Sequence, residues 1–343
     1  MITLFHAFHC LPLGLIAFSI SGGTFWPYFG GGAILVIGVA MARRGELRQA
    51  GGFGPLILLG PVLLAIPMAI FGMDHLVAAR AVSTGVPSWI PGHLFWAYFV
   101  GVALIVAALS LATQIQSRWA SALLGIMIFL FVLLIHIPSC FAIPYDKTRL
   151  TIVLRDSALS AGALAFAASS FEQGRVGGTR GWAGHSHLQN VGSKLIVAAR
   201  LLIAITIGVF GIDHYLYPTF APGIPQEGPT FVTMPSWIPG HVLWAYLTGT
   251  IFVACAVGLA TRKYARSAAT VLGSTVLVLA LFVYLPLTIA KASDVANGLN
   301  YLAIHFALAG SVLLLAGSLP AAHGEYADAA EVEVSSFRRV SDS

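Results

Sequence analysis

PSWIPGHLFWAY, Pro87 to Tyr98, returns 148 residues later as PSWIPGHVLWAY, Pro235 to Tyr246, with ten of its twelve positions unchanged. A string of that length marks a tandem duplication. The earlier pair, FGMDH (Phe71 to His75) and FGIDH (Phe210 to His214), lies 139 apart, so the second copy holds nine more residues between its two motifs. The surplus falls around YPTFAPGIPQEGP, Tyr217 to Pro229, a Pro/Gly-rich stretch where a loop can lengthen without disturbing a core. Downstream the 148 spacing holds: LSLATQIQSRWASALLG (Leu109 to Gly125) lies over VGLATRKYARSAATVLG (Val257 to Gly273). The repeated unit therefore covers residues 55–171 and 193–320.

Composition identifies the solvent of these units. Charged residues make up 9% of the chain, against about 25% in soluble domains, while 58% are hydrophobic and the mean hydropathy is +0.87. Apolar runs long enough to cross a bilayer fall at 55–76, 90–113, 119–142 and 152–171, and again at 194–216, 238–261, 267–290 and 299–319. Backbone amides in lipid must be satisfied within their own segment or in a closed barrel, and runs this long and uniformly apolar are helices. The expected fold is all-α integral membrane: two tandem four-helix transmembrane bundles in parallel orientation, preceded by one or two N-terminal hydrophobic helices.

The chain divides into an N-terminal hydrophobic segment with a cytoplasmic loop (1–54), unit one (55–171), a cytoplasmic linker (172–192), unit two (193–320) and a disordered cytoplasmic tail (321–343). In the first segment SGGTFWP, Ser21 to Pro27, interrupts the apolar run, which reads either as one broken helix or as a hairpin. Alternate loops carry the basic residues. Arg43, Arg44, Arg48, Arg118, Arg175, Arg180, Lys194, Arg200, Arg262, Lys263, Arg266, Arg338 and Arg339 fall on one side, and Arg80, Lys147, Arg149, Arg155 and Lys291 on the other. The richer side is expected to be cytoplasmic, in a bacterial inner membrane. Four helices per unit bring the second copy back in the same sense, so the repeats are parallel, related by an axis along the membrane normal.

That orientation gathers polar residues beneath the outer face. FGMDH closes the first helix, PSWIPGH opens the second, His136 lies near the end of the third, and Arg155 and Asp156 near the start of the fourth. Asp74, His75, His93, His136, Arg155 and Asp156 are therefore expected to converge as the candidate site. In the second copy Asp213, His214 and His241 remain, His136 becomes Tyr284, and His305 falls close to the place of Asp156. Ionisable groups at this depth are functional candidates.

PSWIPGH also has a mechanical reading. Pro91 and Pro239 suit the first turn of a helix, where the missing amide proton is harmless, with Gly92 and Gly240 beside them. Trp89, Trp96, Trp237 and Trp244 suit the headgroup level. His93, Ala97 and Gly101 recur every four residues, as do His241, Ala245 and Gly249, so one helix face carries an imidazole above two small residues that let a neighbouring backbone approach.

PSWIPGHxxWAYxxG at the second helix, a basic turn, and a fourth helix beginning RDSALSAGALAFA together resemble the DoxX-like membrane proteins. The resemblance spans both repeats, and copy one carries it through Trp89, Pro91, Gly92, His93, Trp96, Arg155 and Asp156. Copy two departs from it at the fourth helix. It implies a four-helix bundle per unit and a setting near respiratory or redox-stress chemistry, since relatives include the small subunit of a thiosulfate:quinone oxidoreductase. Other relatives in the broad superfamily resemble membrane chaperones.

Four readings of the polar cluster follow: a structural network tying helix ends together, a quinone pocket in which imidazole and carboxylate handle protons, a metal site, and haem ligation. No HxxxH or HxxE spacing enforces a metal, so metal and haem are disfavoured, while the structural network and a quinone pocket both stay open. Cys10, Cys140 and Cys255 form no CxxC pair, His185 and His187 lie in a polar loop, and the RRVS of Arg338 to Ser341 belongs to the tail. No phosphate loop, serine–histidine–acid arrangement or nucleic-acid motif occurs, and a net charge of +5 suits loops facing anionic lipid. The functional expectation is a redox-associated membrane subunit with a membrane or redox protein partner; the alternatives are a membrane scaffold or chaperone and a small-solute transporter.

Overall fold

A computed structural model describes Gly32 and residues 52–176, 185–225, 238–290 and 295–320, without the side chains of 172–189 and 290–297. Among the described residues, eight helices are long and apolar enough to cross a membrane. They are α1 (Gly54–Val77), α2 (His93–Thr113), α3 (Ser117–Ala142), α4 (Lys147–Val176), α5 (His185–Leu216), α6 (His241–Ala260), α7 (Arg262–Ile289) and α8 (Val295–Ser318). The all-α membrane bundle is as the composition required. The helices overrun the expected linker at both ends, α4 continuing to Val176 and α5 beginning at His185. A helix already formed adds one hydrogen bond per residue fixed, so the polar flanks extend it beyond the apolar span. The N-terminal segment apart from Gly32 and residues 52–54, the centre of the linker, Trp237 and the tail lie outside the described residues.

The helices form a ring of neighbours that repeats itself on exchange of the units. Within each unit the first helix packs on the second, the second on the third and the third on the fourth; between units α4 packs on α5 and α8 on α1, and α4 crosses α8 at the centre. The central pair reveals the sense of the repeats. Gly162 of α4 abuts the backbone of Ser311 on α8, and seven residues further along both chains the hydroxyls of Ser169 and Ser318 bond at 3.1 Å. Two contacts advancing together mean parallel helices, joining positions that are equivalent within one residue of the 148 offset. Of the α8 span 89% is buried, against 28% for the lipid-facing α3.

Small residues make the tight crossings. A Cβ on Gly72 would lie 2.9 Å from the carbonyl oxygen of Gly101, and one on Gly101 would lie 3.0 Å from that of Gly72; Gly211 and Gly249 repeat the geometry at 3.0 and 2.9 Å. Ala97 and Ala245 are buried on the same faces. The sequence's four-residue stripe is thus the α1–α2 and α5–α6 contact.

The WIPGH motif works differently from the proline reading. Helices α2 and α6 begin at His93 and His241, after Gly92 (φ 73°) and Gly240 (φ 73°), so Pro91 and Pro239 stand one residue before the cap and outside the first turn. The left-handed cap demands glycine at that position. Each proline carbonyl accepts the indole N–H of Trp96 or Trp244 at 3.1 Å, which ties the entering chain to the first turn. Trp89 is 68% exposed, as an interfacial side chain should be.

Candidate functional site

Pro138 and Pro286 lack the amide that an α-helix would bond four residues back, and the ladder adjusts ahead of each. Val132–His136 and Ala280–Tyr284 are π-helical, with the Ile137 amide bonding to Val132 O and that of Leu285 to Ala280 O. One extra residue per turn rotates what precedes the proline. His136 and Tyr284, equivalent residues, close these segments and turn toward the fourth helix of their own unit.

In unit one this meeting is ionic. His136 Nε2 lies 3.1 Å from Asp156 Oδ2, and Arg155 Nε donates to Asp156 Oδ1 at 2.8 Å. Both carboxylate oxygens are thereby occupied. The terminal nitrogens of Arg155 make no further hydrogen bond among the described residues. On α1, His75 Nδ1 donates to its own helix at Phe71 O, 2.7 Å away, leaving Nε2 as the lone-pair edge of the neutral ring. Neither Nε2 of His75 nor the carboxylate of Asp74 has a hydrogen-bond partner among the described residues.

Asp74, His75, His136, Arg155 and Asp156 all line one cavity of about 780 Å³, a volume typical of small-molecule sites. His93, expected with them, does not line it; it is half-buried at the head of α2, above the glycine crossing. The π-turn, α1 and α4 direct the others inward, whereas the Gly92 cap sets His93 at the helix end. The rest of the wall is predominantly apolar, including Met68, Leu104, Met127 and Ile128. Val106 and Leu123 also line it while being 58% and 66% exposed, so the cavity opens sideways between α2 and α3 onto the lipid-facing surface.

Unit two fills the corresponding place with its own chain. After α5 the segment Tyr217–Pro225 turns inward, and Ala221 and Ile224 are buried, Ile224 to 1% exposure. The Gly223 amide donates to His214 Nε2 at 2.9 Å, the Ile224 amide donates to His305 Nε2 at 3.1 Å, and the Tyr284 hydroxyl donates to Pro222 O at 3.1 Å. His214 and His305 each direct Nδ1 to a carbonyl four residues back, at 2.6 and 2.7 Å, as His75 does. The Tyr284 and His305 rings stack at 3.7 Å, taking the place of the His136–Asp156 pair. Ala221–Pro225 is therefore no free loop: three otherwise unsatisfied side chains bind this segment's backbone and hold it in the core.

The plug also completes the open cavity. Ile224 and Pro225 wall unit one's cavity, together with Asn300, Tyr301 and Ile304 of α8. These second-unit residues were missed in the sequence, although one signal was present. The inserted loop, the change of His136 to Tyr284, the lost Arg–Asp pair and the new His305 all occur in the same copy. Asp213 and His241 keep their positions, near the end of α5 and at the head of α6. Among the described residues no three His, Cys, Asp or Glu side chains form a group able to hold a metal ion, and Cys140 and Cys255 are free thiols.

No family model matches the chain, and no curated protein or solved structure is significantly similar to it. The DoxX-like resemblance accordingly rests on its motif residues alone.

Proposed function

We propose that unit one binds the ring of a quinone or quinol reaching it from the bilayer, and that the protein is a redox-associated membrane subunit. The single observation that carries this reading is the amphipathic cavity: an apolar gallery open between α2 and α3, ending on Asp74, His75, His136, Arg155 and Asp156. A matching ligand is lipophilic along its length and bears oxygens at one end. Interconversion of quinone and quinol moves two protons with two electrons. The imidazoles and carboxylates supply proton donors and acceptors next to the ring oxygens, and Arg155 holds charge beside them. Electrons are exchanged with a partner redox protein.

The DoxX-like resemblance supports the same setting through its thiosulfate:quinone oxidoreductase relatives. This reading sets the chain in a bacterial inner membrane, with the basic loops, linker and tail cytoplasmic. The scaffold and transporter alternatives have no observation of comparable specificity.

The test is thermal unfolding of the purified full chain in mild detergent with a decyl-substituted benzoquinone or its hydroquinone. Ligand at about a hundred times its Kd stabilises by about 2.7 kcal/mol. Ala103→Phe, which places a ring in the cavity wall, should abolish the shift. If neither redox form shifts the parent protein, the proposal fails.

A further inference from the structure

Two copies of one site, one open and one filled from within, reveal what the open one accepts. In unit two the imidazole on the first helix, His214, has Nδ1 committed to Phe210 O and receives a hydrogen at Nε2 from the Gly223 amide. The equivalent His75 has the same commitment, Nδ1 to Phe71 O, and lines a cavity instead of a plug. With Nδ1–H fixed, the neutral ring offers its ligand a lone pair at Nε2 and no proton.

The geometry points to a hydroxyl-bearing ligand whose O–H donates to His75 Nε2. Resting on the quinone reading of this cavity, it assigns the reduced, hydroquinone form as the one the site selects. A quinone carbonyl has only lone pairs to set against Nε2, so even where a ring oxygen accepts from Arg155 the imidazole Nε2 stays unpaired. Sites built around a hydrogen bond discriminate strongly against an analogue lacking the matching group, because the protein partner is then desolvated without compensation. The unit-two plug answers the same edge with an N–H, never with a carbonyl: its carbonyl contact, at Pro222, is taken by the Tyr284 hydroxyl.

The experiment compares three probes on the full chain in detergent: a decyl hydroquinone under anaerobic reducing conditions, the matching quinone, and the hydroquinone dimethyl ether. The dimethyl ether keeps the ring and oxygens but has no O–H. Expected is hydroquinone affinity about ten-fold or more above both others, in line with one desolvated hydrogen bond. In His75→Phe that advantage should disappear, hydroquinone and its dimethyl ether then binding alike. Equal binding of hydroquinone and its dimethyl ether by the parent protein overturns the inference without any variant, as does an advantage that survives His75→Phe. Binding of neither redox form refutes the quinone reading itself, a separate outcome.

Discussion

The α1–α2 crossing is the contact on which the position of His75 depends, and its tolerance can be worked out from Gly101. A methyl there would sit 2.8 Å from Leu76 Cδ2, 3.0 Å from Gly72 O and 3.0 Å from His75 Cβ. Ordinary contacts lie near about 3.5–4.0 Å, so the helices must part by roughly 0.5 Å or more, since a backbone carbonyl and a Cβ cannot rotate aside. Overpacking of this kind costs about 1–3 kcal/mol. Gly72→Ala strains the same crossing, with 2.9 Å to Gly101 O. Once the first methyl has opened the gap, the second should cost less, so Gly72→Ala with Gly101→Ala falls short of the sum by about 0.5 kcal/mol or more. Gly72→Ala with Gly249→Ala, in separate units, should add. Reversible unfolding by sodium dodecyl sulfate in mixed micelles measures these four variants and Gly249→Ala alone. A parent-like Gly101→Ala, or simple addition for the Gly72–Gly101 pair, would refute the close-approach argument.

Three further outcomes are expected. Tyr284→Phe removes the donor to Pro222 O and leaves a buried carbonyl unsatisfied, at a cost of about 1–3 kcal/mol; amide hydrogen exchange at Gly223 and Ile224 should accelerate, and unchanged protection there would contradict the plug. Asp156→Asn leaves Arg155 facing a neutral amide and should destabilise by up to about 3–5 kcal/mol. Adding Arg155→Met should recover part of that loss in the same unfolding assay, and a double variant no better than the single would show that the charge pair is not the cause. For orientation, in a cysteine-free background a membrane-impermeant maleimide applied to intact cells should label Tyr145→Cys, a fully exposed position of the α3–α4 turn, and spare Gln116→Cys in the basic α2–α3 turn; the reverse pattern would invert the topology.

Much of the fold was legible because lipid removes alternatives: runs of some twenty apolar residues have helix as their available form, and an exact motif repeat reveals duplication. The stripe of Ala97 and Gly101 announced a close helix contact for the same reason, since small residues at four-residue spacing share a face. Convergence of Asp74, His75, His136, Arg155 and Asp156 followed from counting helix ends. His93 misled because proximity to a helix end fixes height in the membrane but not rotation about the axis; the Gly92 cap and the glycine crossing set that rotation, and they leave His93 outside the cavity. Pro91 misled for a related reason. A proline beside a glycine can stand before the cap or in the first turn, and the left-handed φ of Gly92 makes the glycine the cap and leaves Pro91 ahead of it.

By itself the sequence determined eight apolar spans, their pairing into two like units and the level at which ionisable groups lie, because each depends on local hydropathy and on matching strings. Only the tertiary structure decided that the units interlock through parallel α4 and α8, and that Ala221–Pro225 of unit two is a buried plug while unit one stays open. The destination of a Pro/Gly-rich loop depends on which buried donors and acceptors lack partners. For Tyr217–Pro225 those partners, His214, Tyr284 and His305, are supplied by three helices that meet only when the chain is folded.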